Sequence, residues 1–237
     1  MYKYLNELKG CHQGQDIYVL GSGASMNYMP KSFFYGKITV GVNRAHKFFH
    51  CKYTVVKDFH TARDCVSWLN SIEKYNSVMI ATEFANKYDH KFKTNRHEYY
   101  IAPVGKWSGV IDPSLIDTDK MVNSHSTITT AIHVAYYMGA ANIILCGADC
   151  GLLDAATNMS EYYNEESSRN AQSMSHPYQL MNIQAMKILL GRRGCNVVSL
   201  NPFVNIGLEG HTFSLAPMPE DALWGGSPDE ILKNLTK

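Results

Sequence analysis

Short runs of apolar residues recur along the chain, and each ends in a turn-forming or polar residue. They cover Ile17–Leu20, Ile38–Val42, Tyr53–Val56, Ser77–Ala81, Asn142–Cys146 and Asn196–Leu200. The runs are short, rich in β-branched side chains and mostly unbroken by polar positions. Strands buried on both faces carry this signature, whereas a strand with one wet face alternates. Helical spacing fills three of the intervals, over Thr61–Tyr75, Thr127–Met138 and Tyr178–Leu190. Ser124, Ser126 and Thr127 offer N-caps to the second of these, and Gly139 closes it. Arg192 and Arg193 followed by Gly194 close the third. Strands alternating with helices predict βαβ units. The expected fold class is α/β and Rossmann-like: a mostly parallel sheet with helices on both faces.

Two stretches break the rhythm. Phe84–Val122 reads as polar, aromatic and irregular, and Gly151–Ser175 is rich in Asn, Ser, Glu and Tyr. Long irregular segments in a compact domain are usually functional lids or disordered. The second is expected to be an inserted lid, about residues 151–177. The tail, about 205–237, carries Gly and Pro and one short helical pattern over Pro228–Leu235. No repeat or linker divides the chain, so a single domain over residues 1–237 is expected.

Composition narrows the function classes. At 237 residues with 45 % hydrophobic content, the chain can bury a substantial core. A formal net charge of +1 supplies no global field towards nucleic acid or an acidic membrane. No run approaches the roughly 18 apolar residues that span a bilayer. Met1–Lys9 is polar and mixed, unlike a secretory signal. Six cysteines occur without a C-x-x-C pair or zinc-ligand spacing. Reduced thiols and a cytoplasmic setting are expected, a peripheral position at the inner membrane face being compatible.

The chemistry-bearing residues cluster where strands end. Gly21-Ser22-Gly23-Ala24-Ser25 follows the first predicted strand. Glycines there let backbone approach a phosphate or ribose, and a following helix N-terminus favours anions. The third glycine of a dinucleotide fingerprint and the lysine of a P-loop are both missing, so a ligand-free βα turn is the alternative. The next two strands end in Asn43-Arg44 and Lys57-Asp58. In an open α/β sheet such positions line the ligand crevice, although solvated loop residues read the same way. Ser126 and Thr127 at the start of a helix can hold a phosphate or simply cap the helix. Gly147-Ala148-Asp149 ends a further strand, where a carboxylate can take ribose hydroxyls or cap structure. His176, before Tyr178, is a candidate general base. Tyr162 and Tyr163 in the lid can donate to phosphate oxygens. Asp117-Thr118-Asp119 spells D-x-D, a metal–diphosphate motif, but no apolar strand precedes it; Asp117 and Asp119 are therefore metal candidates that the context does not favour.

In order along the chain, these pieces resemble the bacterial sialyltransferases of glycosyltransferase family 42. They also resemble a wider Rossmann-like group that includes 6-hydroxymethylpterin diphosphokinase-like proteins. The likeness runs over about residues 16–203. It rests on the Gly21–Ser25 turn, Asn43, the Cys51-Lys52 pair, Ser126-Thr127, Gly147-Ala148-Asp149, the lid tyrosines, His176 and the Leu200-Asn201-Pro202 ending. Three positions depart from the family pattern: Ser22 and Lys57-Asp58 stand where it has Asn, and Ser124 where it has Arg.

The resemblance implies a glycosyltransferase that moves a sugar from a nucleotide sugar, CMP-sialic acid-like or another, to an acceptor hydroxyl. It implies Gly21, Ser22, Gly23, Ser25, Asn43, Arg44, Lys57, Asp58, Ser126, Thr127, Gly147, Ala148 and Asp149 around the donor nucleotide. It further implies His176 as base, Tyr162 or Tyr163 on the leaving phosphate, inversion, and no cofactor or metal beyond the donor. The expected partners are the nucleotide sugar and a glycan, glycolipid or other hydroxyl acceptor, with a homo-oligomer possible. A diphosphokinase-like transferase is the main alternative and needs a magnesium-binding carboxylate cluster. An S-adenosylmethionine enzyme would place an acid where Asn43-Arg44 stands. A non-catalytic nucleotide-binding domain of the same fold is the third alternative.

Overall fold

The computed structural model describes residues 2–59, 62–83, 99–151, 158–162 and 166–200. Eight strands form one sheet in which every pairing is parallel. They are β1 (Tyr2–Tyr4), β2 (Asp16–Leu20), β3 (Ile38–Val42), β4 (Tyr53–Val56), β5 (Val78–Thr82), β6 (Tyr99–Ala102), β7 (Asn142–Cys146) and β8 (Asn196–Ser199). The spatial order is β1-β6-β5-β4-β3-β2-β7-β8. Three α-helices accompany them, α1 (Ala62–Lys74), α2 (Thr127–Tyr137) and α3 (Glu166–Gly191).

The six apolar runs read from sequence are the strands β2, β3, β4, β5, β7 and β8. Burial on both faces explains the lack of alternation in β3, β4 and β5, whereas β8, at the sheet edge, alternates and exposes Val198. Ile17, Val19, Val55, Ile80, Ile143 and Leu145 point into one core with Ile128, Ile132 and Ile183 of α2 and α3. Val56, Met79 and Ala81 point the other way, against Leu69 and Ile72 of α1. Leu20 and Cys146 join Met26, Phe34 and Tyr162 in a third cluster.

The structure corrects the sequence reading at several points. β6 lies inside the segment taken as irregular, and β1 was not foreseen. Neither has a long apolar run; they persist by pairing with each other, and β6 also pairs with β5. α3 begins at Glu166 rather than Tyr178, so residues 166–177 of the expected lid are helical and Pro177 lies inside the helix. The turn after β2 leads into short 3₁₀ segments, Ala24–Tyr28 and Lys31–Phe34, and not into a long helix. The tail from 201, with its predicted short helix, lies outside the described residues.

The chain adds β3 to β6 on one side of β2, then places β7 and β8 on the other. This reversal makes the carboxyl ends of β2, β3 and β7 a topological switch point, where α/β sheets form their ligand crevice.

Candidate functional site

Two turns leave the switch point and are packed without space between them. A methyl group at Gly21 would strike the Gly147 carbonyl, and one at Gly23 would strike both that carbonyl and the Asp149 carboxylate. Gly147 has φ +67°, a conformation suited to glycine, and a side chain there would meet Met26. The Gly21 N–H donates to the Cys146 carbonyl at 2.7 Å, and the Gly23 N–H to the Gly147 carbonyl at 2.8 Å. These glycines therefore serve the contact between the β2 and β7 turns.

Ser25 and Asp149 join the same two turns. The Ser25 N–H and hydroxyl each donate to the Asp149 carboxylate, the former at 2.8 Å. Burial pushes the Asp149 pKa up, and the two Ser25 hydrogen bonds pull it back. The Ser25 hydroxyl thus donates its proton to Asp149 within the protein. Ser22 is half-buried at the rim, and its hydroxyl donates to Asn158 Oδ1 at 2.8 Å. The Met159 N–H donates to the Ser22 carbonyl at 2.7 Å, which ties the segment 158–162 to the turn.

Asn43 follows β3 with φ 50°, left-handed for a non-glycine residue. Tyr162, which is 2 % exposed, holds it there. The Tyr162 hydroxyl donates to the Val42 carbonyl at 3.2 Å and accepts from the Arg44 N–H at 3.1 Å. The Arg44 guanidinium donates in turn to the Tyr162 carbonyl at 3.1 Å. Buried His46 donates from Nδ1 to the Asn43 carbonyl at 2.8 Å and receives the Ser71 hydroxyl at Nε2. Tyr162 and Arg44 thus form a mutual clamp around Asn43. Cys150, which also lines the cavity, has positive φ too, at 51°.

The third side comes from α2. Ser126 is its N-cap and accepts the Ile128 N–H at 3.3 Å. Lys57 reaches from the end of β4 and donates to the Ser124 carbonyl at 2.8 Å. It is 7 % exposed, and burial lowers its pKa while Asp58 partly restores it. Lys57 therefore anchors the turn that precedes α2. Asp58 is exposed and does not line the cavity.

These turns enclose a cavity of about 230 Å³. Gly21, Ser22 and Gly23 line it from β2, Asn43 from β3, Ser126 and Thr127 from α2, and Gly147, Ala148 and Asp149 from β7. Residues from four separate motifs of the sequence thus converge on one place. Sequence reasoning passed over other lining residues, among them Cys150, Asn158, Gln179 and His125. His125 had a signal, since it lies inside the Ser124–Thr127 motif, but only the hydroxyls were weighed. Its pKa is lowered, chiefly by burial and then by Lys57, which favours the neutral ring.

Tyr163 lies outside the described residues. His176 lies within α3, and its side chain is outside them too. Asp117 lies beside a second cavity at the amino ends of β2, β7 and β8, lined by Gly10, Tyr136 and Arg193. Its carboxylate receives two N–H groups of Arg193, with Nη2 to Oδ2 at 2.7 Å. The D-x-D motif is therefore an ion-paired surface feature remote from the switch point, and no cluster of metal-ligating side chains occurs among the described residues. No helix among them is long and apolar enough to cross a membrane.

No family model and no curated protein matches the sequence. Solved structures do resemble it. The Maf glycosyltransferase of Magnetospirillum magneticum AMB-1 superposes with a TM-score of 0.51 at 11 % identity, over 99 % of this chain. The chain spans 42 % of that protein's length. Sialyltransferase CstII of Campylobacter jejuni, solved with the substrate analogue cytidine-5'-monophosphate, gives 0.45 at 9 % identity over 95 % of this chain and 99 % of its own. A mutant of alpha-2,3/8-sialyltransferase CstII gives 0.47 at 11 % identity over 93 % and 100 %. The chain thus shares the α/β fold of the Maf glycosyltransferase structure.

Proposed function

We propose that the chain is a glycosyltransferase whose switch-point cavity holds the nucleotide of a nucleotide-sugar donor. The observation that carries this reading is the convergence of Gly21–Gly23, Asn43, Ser126-Thr127 and Gly147–Asp149 around one cavity. The fold is that of the Maf glycosyltransferase, a protein named for this activity. Asn43 and the Ser126-Thr127 turn at the start of α2 would take the ribose and phosphate by hydrogen bonding, with the two glycine turns supplying close approach. Ser25, Arg44, Lys57 and Tyr162 act one step back, holding those groups in place.

The reaction would be displacement of the nucleotide by an acceptor hydroxyl, with inversion. His176 would take the acceptor proton, and Tyr163 would donate to the departing phosphate. Hydrogen-bond donors would carry the leaving-group charge in place of a divalent metal.

The test is a thermal-shift series with CMP, CDP, UDP, GDP, ADP and ATP, each with and without Mg²⁺. A nucleotide at 100 times its Kd stabilises by about 2.7 kcal/mol. The expected result is a metal-independent shift with CMP or a nucleoside diphosphate, lost on Asn43→Ala. A shift confined to ATP with Mg²⁺ would replace this reading with the diphosphokinase-like one.

A further inference from the structure

One wall of the cavity continues outward into an aromatic shelf that the donor reading does not use. Val104 and Met121 form a parallel bridge. The Gly105 N–H donates to Met121 at 2.9 Å, and the Ser108 N–H to the Asn123 carbonyl at 3.0 Å. Asn123 Nδ2 returns to the Gly105 carbonyl at 3.3 Å, and Asn182 Nδ2 of α3 takes the Gly109 carbonyl at 2.9 Å. The loop is thus fixed at both ends and across its middle. It presents Trp107 with 43 % of its surface in solvent. The indole meets His125 edge to face, ring centroids 5.5 Å apart, and His125 lies on Tyr178 at 4.9 Å. His125 lines the cavity and Trp107 packs against His125, so the shelf adjoins the cavity.

Behind the shelf, two buried polar atoms lack a hydrogen-bond partner among the described residues, the Tyr178 hydroxyl and Asn182 Oδ1. Tyr178 is 6 % exposed and Asn182 fully buried. Buried polar groups are nearly always paired, so the base of the shelf calls for enclosed water. A flat apolar ring held rigidly beside uncharged polar groups suits a pyranose, which presents an apolar C–H face and a rim of hydroxyls.

We infer that the shelf formed by Trp107, His125 and Tyr178 is the acceptor subsite and that it binds a neutral saccharide, whose ring stacks on Trp107. The inference rests on the glycosyltransferase reading. It places the acceptor on the α2–α3 side of the donor cavity, with its hydroxyl directed inward past His125.

The experiment uses the full chain on an immobilised panel of neutral glycans, including lactose, N-acetyllactosamine, chitobiose and maltotriose, with and without saturating CMP or UDP. Wild type is expected to be retained by at least one glycan. Trp107→Ala should lower that retention by about tenfold or more, as loss of a central Trp contact does elsewhere. Trp107→Phe, which keeps a stacking face, should retain most of it. The nucleotide-induced thermal shift of Trp107→Ala should equal that of wild type, which also checks that the variant is folded. Equal retention of wild type and Trp107→Ala overturns the subsite, as does a wild type that no glycan retains. Failure of the donor reading appears separately, as absence of any nucleotide shift in either protein.

Discussion

The Tyr162 hydroxyl bonds the peptide groups on both sides of Asn43, donating to Val42 and accepting from Arg44. A left-handed asparagine costs about 1–3 kcal/mol and persists where its surroundings over-determine it. Tyr162 comes from the segment after β7, more than a hundred residues along the chain from Asn43. The conformation of one cavity residue is therefore set by a different turn of the same sheet.

Tyr162→Phe keeps the ring stacked on Phe48 and removes only the two hydrogen bonds. It should destabilise by about 1–2 kcal/mol in urea unfolding. Nucleotide affinity should fall by more than this loss of stability alone explains, because Asn43 is released. An unchanged nucleotide shift would show that Asn43 keeps its conformation without the clamp.

Gly23→Ala drives a methyl group into Asp149 and the Gly147 carbonyl. Overpacking of this kind costs about 1–3 kcal/mol. The β2 and β7 turns should separate, and nucleotide binding should be lost before the fold is. Gly191→Ala is the matched control. It adds a methyl group into open space at the end of α3 and should be neutral or stabilise by up to about 1 kcal/mol.

Asp117→Asn removes the charge from the ion pair with Arg193 while leaving a side chain of the same shape. The carboxylate is largely exposed, 62 % on the side chain, so stability should change by no more than about 1 kcal/mol. Transfer activity and its response to EDTA should match wild type. A loss of metal-dependent turnover would restore the D-x-D motif as a functional site.

Acid should destabilise the protein through two buried histidines. His133 accepts the Val122 N–H at Nδ1 and donates from Nε2 to Ile116, and burial lowers its pKa to about 4. His46 is lowered to about 4 for the same reason. The unfolded chain takes up these protons near pH 6.5, the folded one only near pH 4. Stability is therefore complete above about pH 6.5 and falls as pH drops towards 4, by about 3 kcal/mol per histidine. Urea unfolding at a series of pH values should show this slope, and His133→Gln should make it shallower between pH 6.5 and 5. A flat profile over that interval would contradict the assignment.

The sequence was informative wherever a strand was apolar on both faces, because such runs have few other uses. Finding the ends of β2, β3 and β7 located the cavity, since strand ends in an open sheet face one crevice. β1 and β6 were not legible: Tyr2–Tyr4 and Tyr99–Ala102 gain their strand character from neighbours distant in sequence. The first half of α3 was hidden by its polar composition, and Pro177 read as a helix start. Ser25, Arg44, Lys57 and Tyr162 all have ligand chemistry that a sequence can show. Each also bonds a protein group, and only tertiary geometry reveals which one.

The packing of Gly21 against Gly147 also has a kinetic consequence. β2 can pair with β3 as soon as some forty residues are available, but its other edge waits for β7, about a hundred residues later. Parallel pairing across such a separation is slow, because the connecting chain must be ordered first. The cavity therefore comes into being only when the second half of the sheet docks. A nucleotide bound there would act on the finished protein alone, slowing its unfolding and leaving the rate of folding almost unchanged.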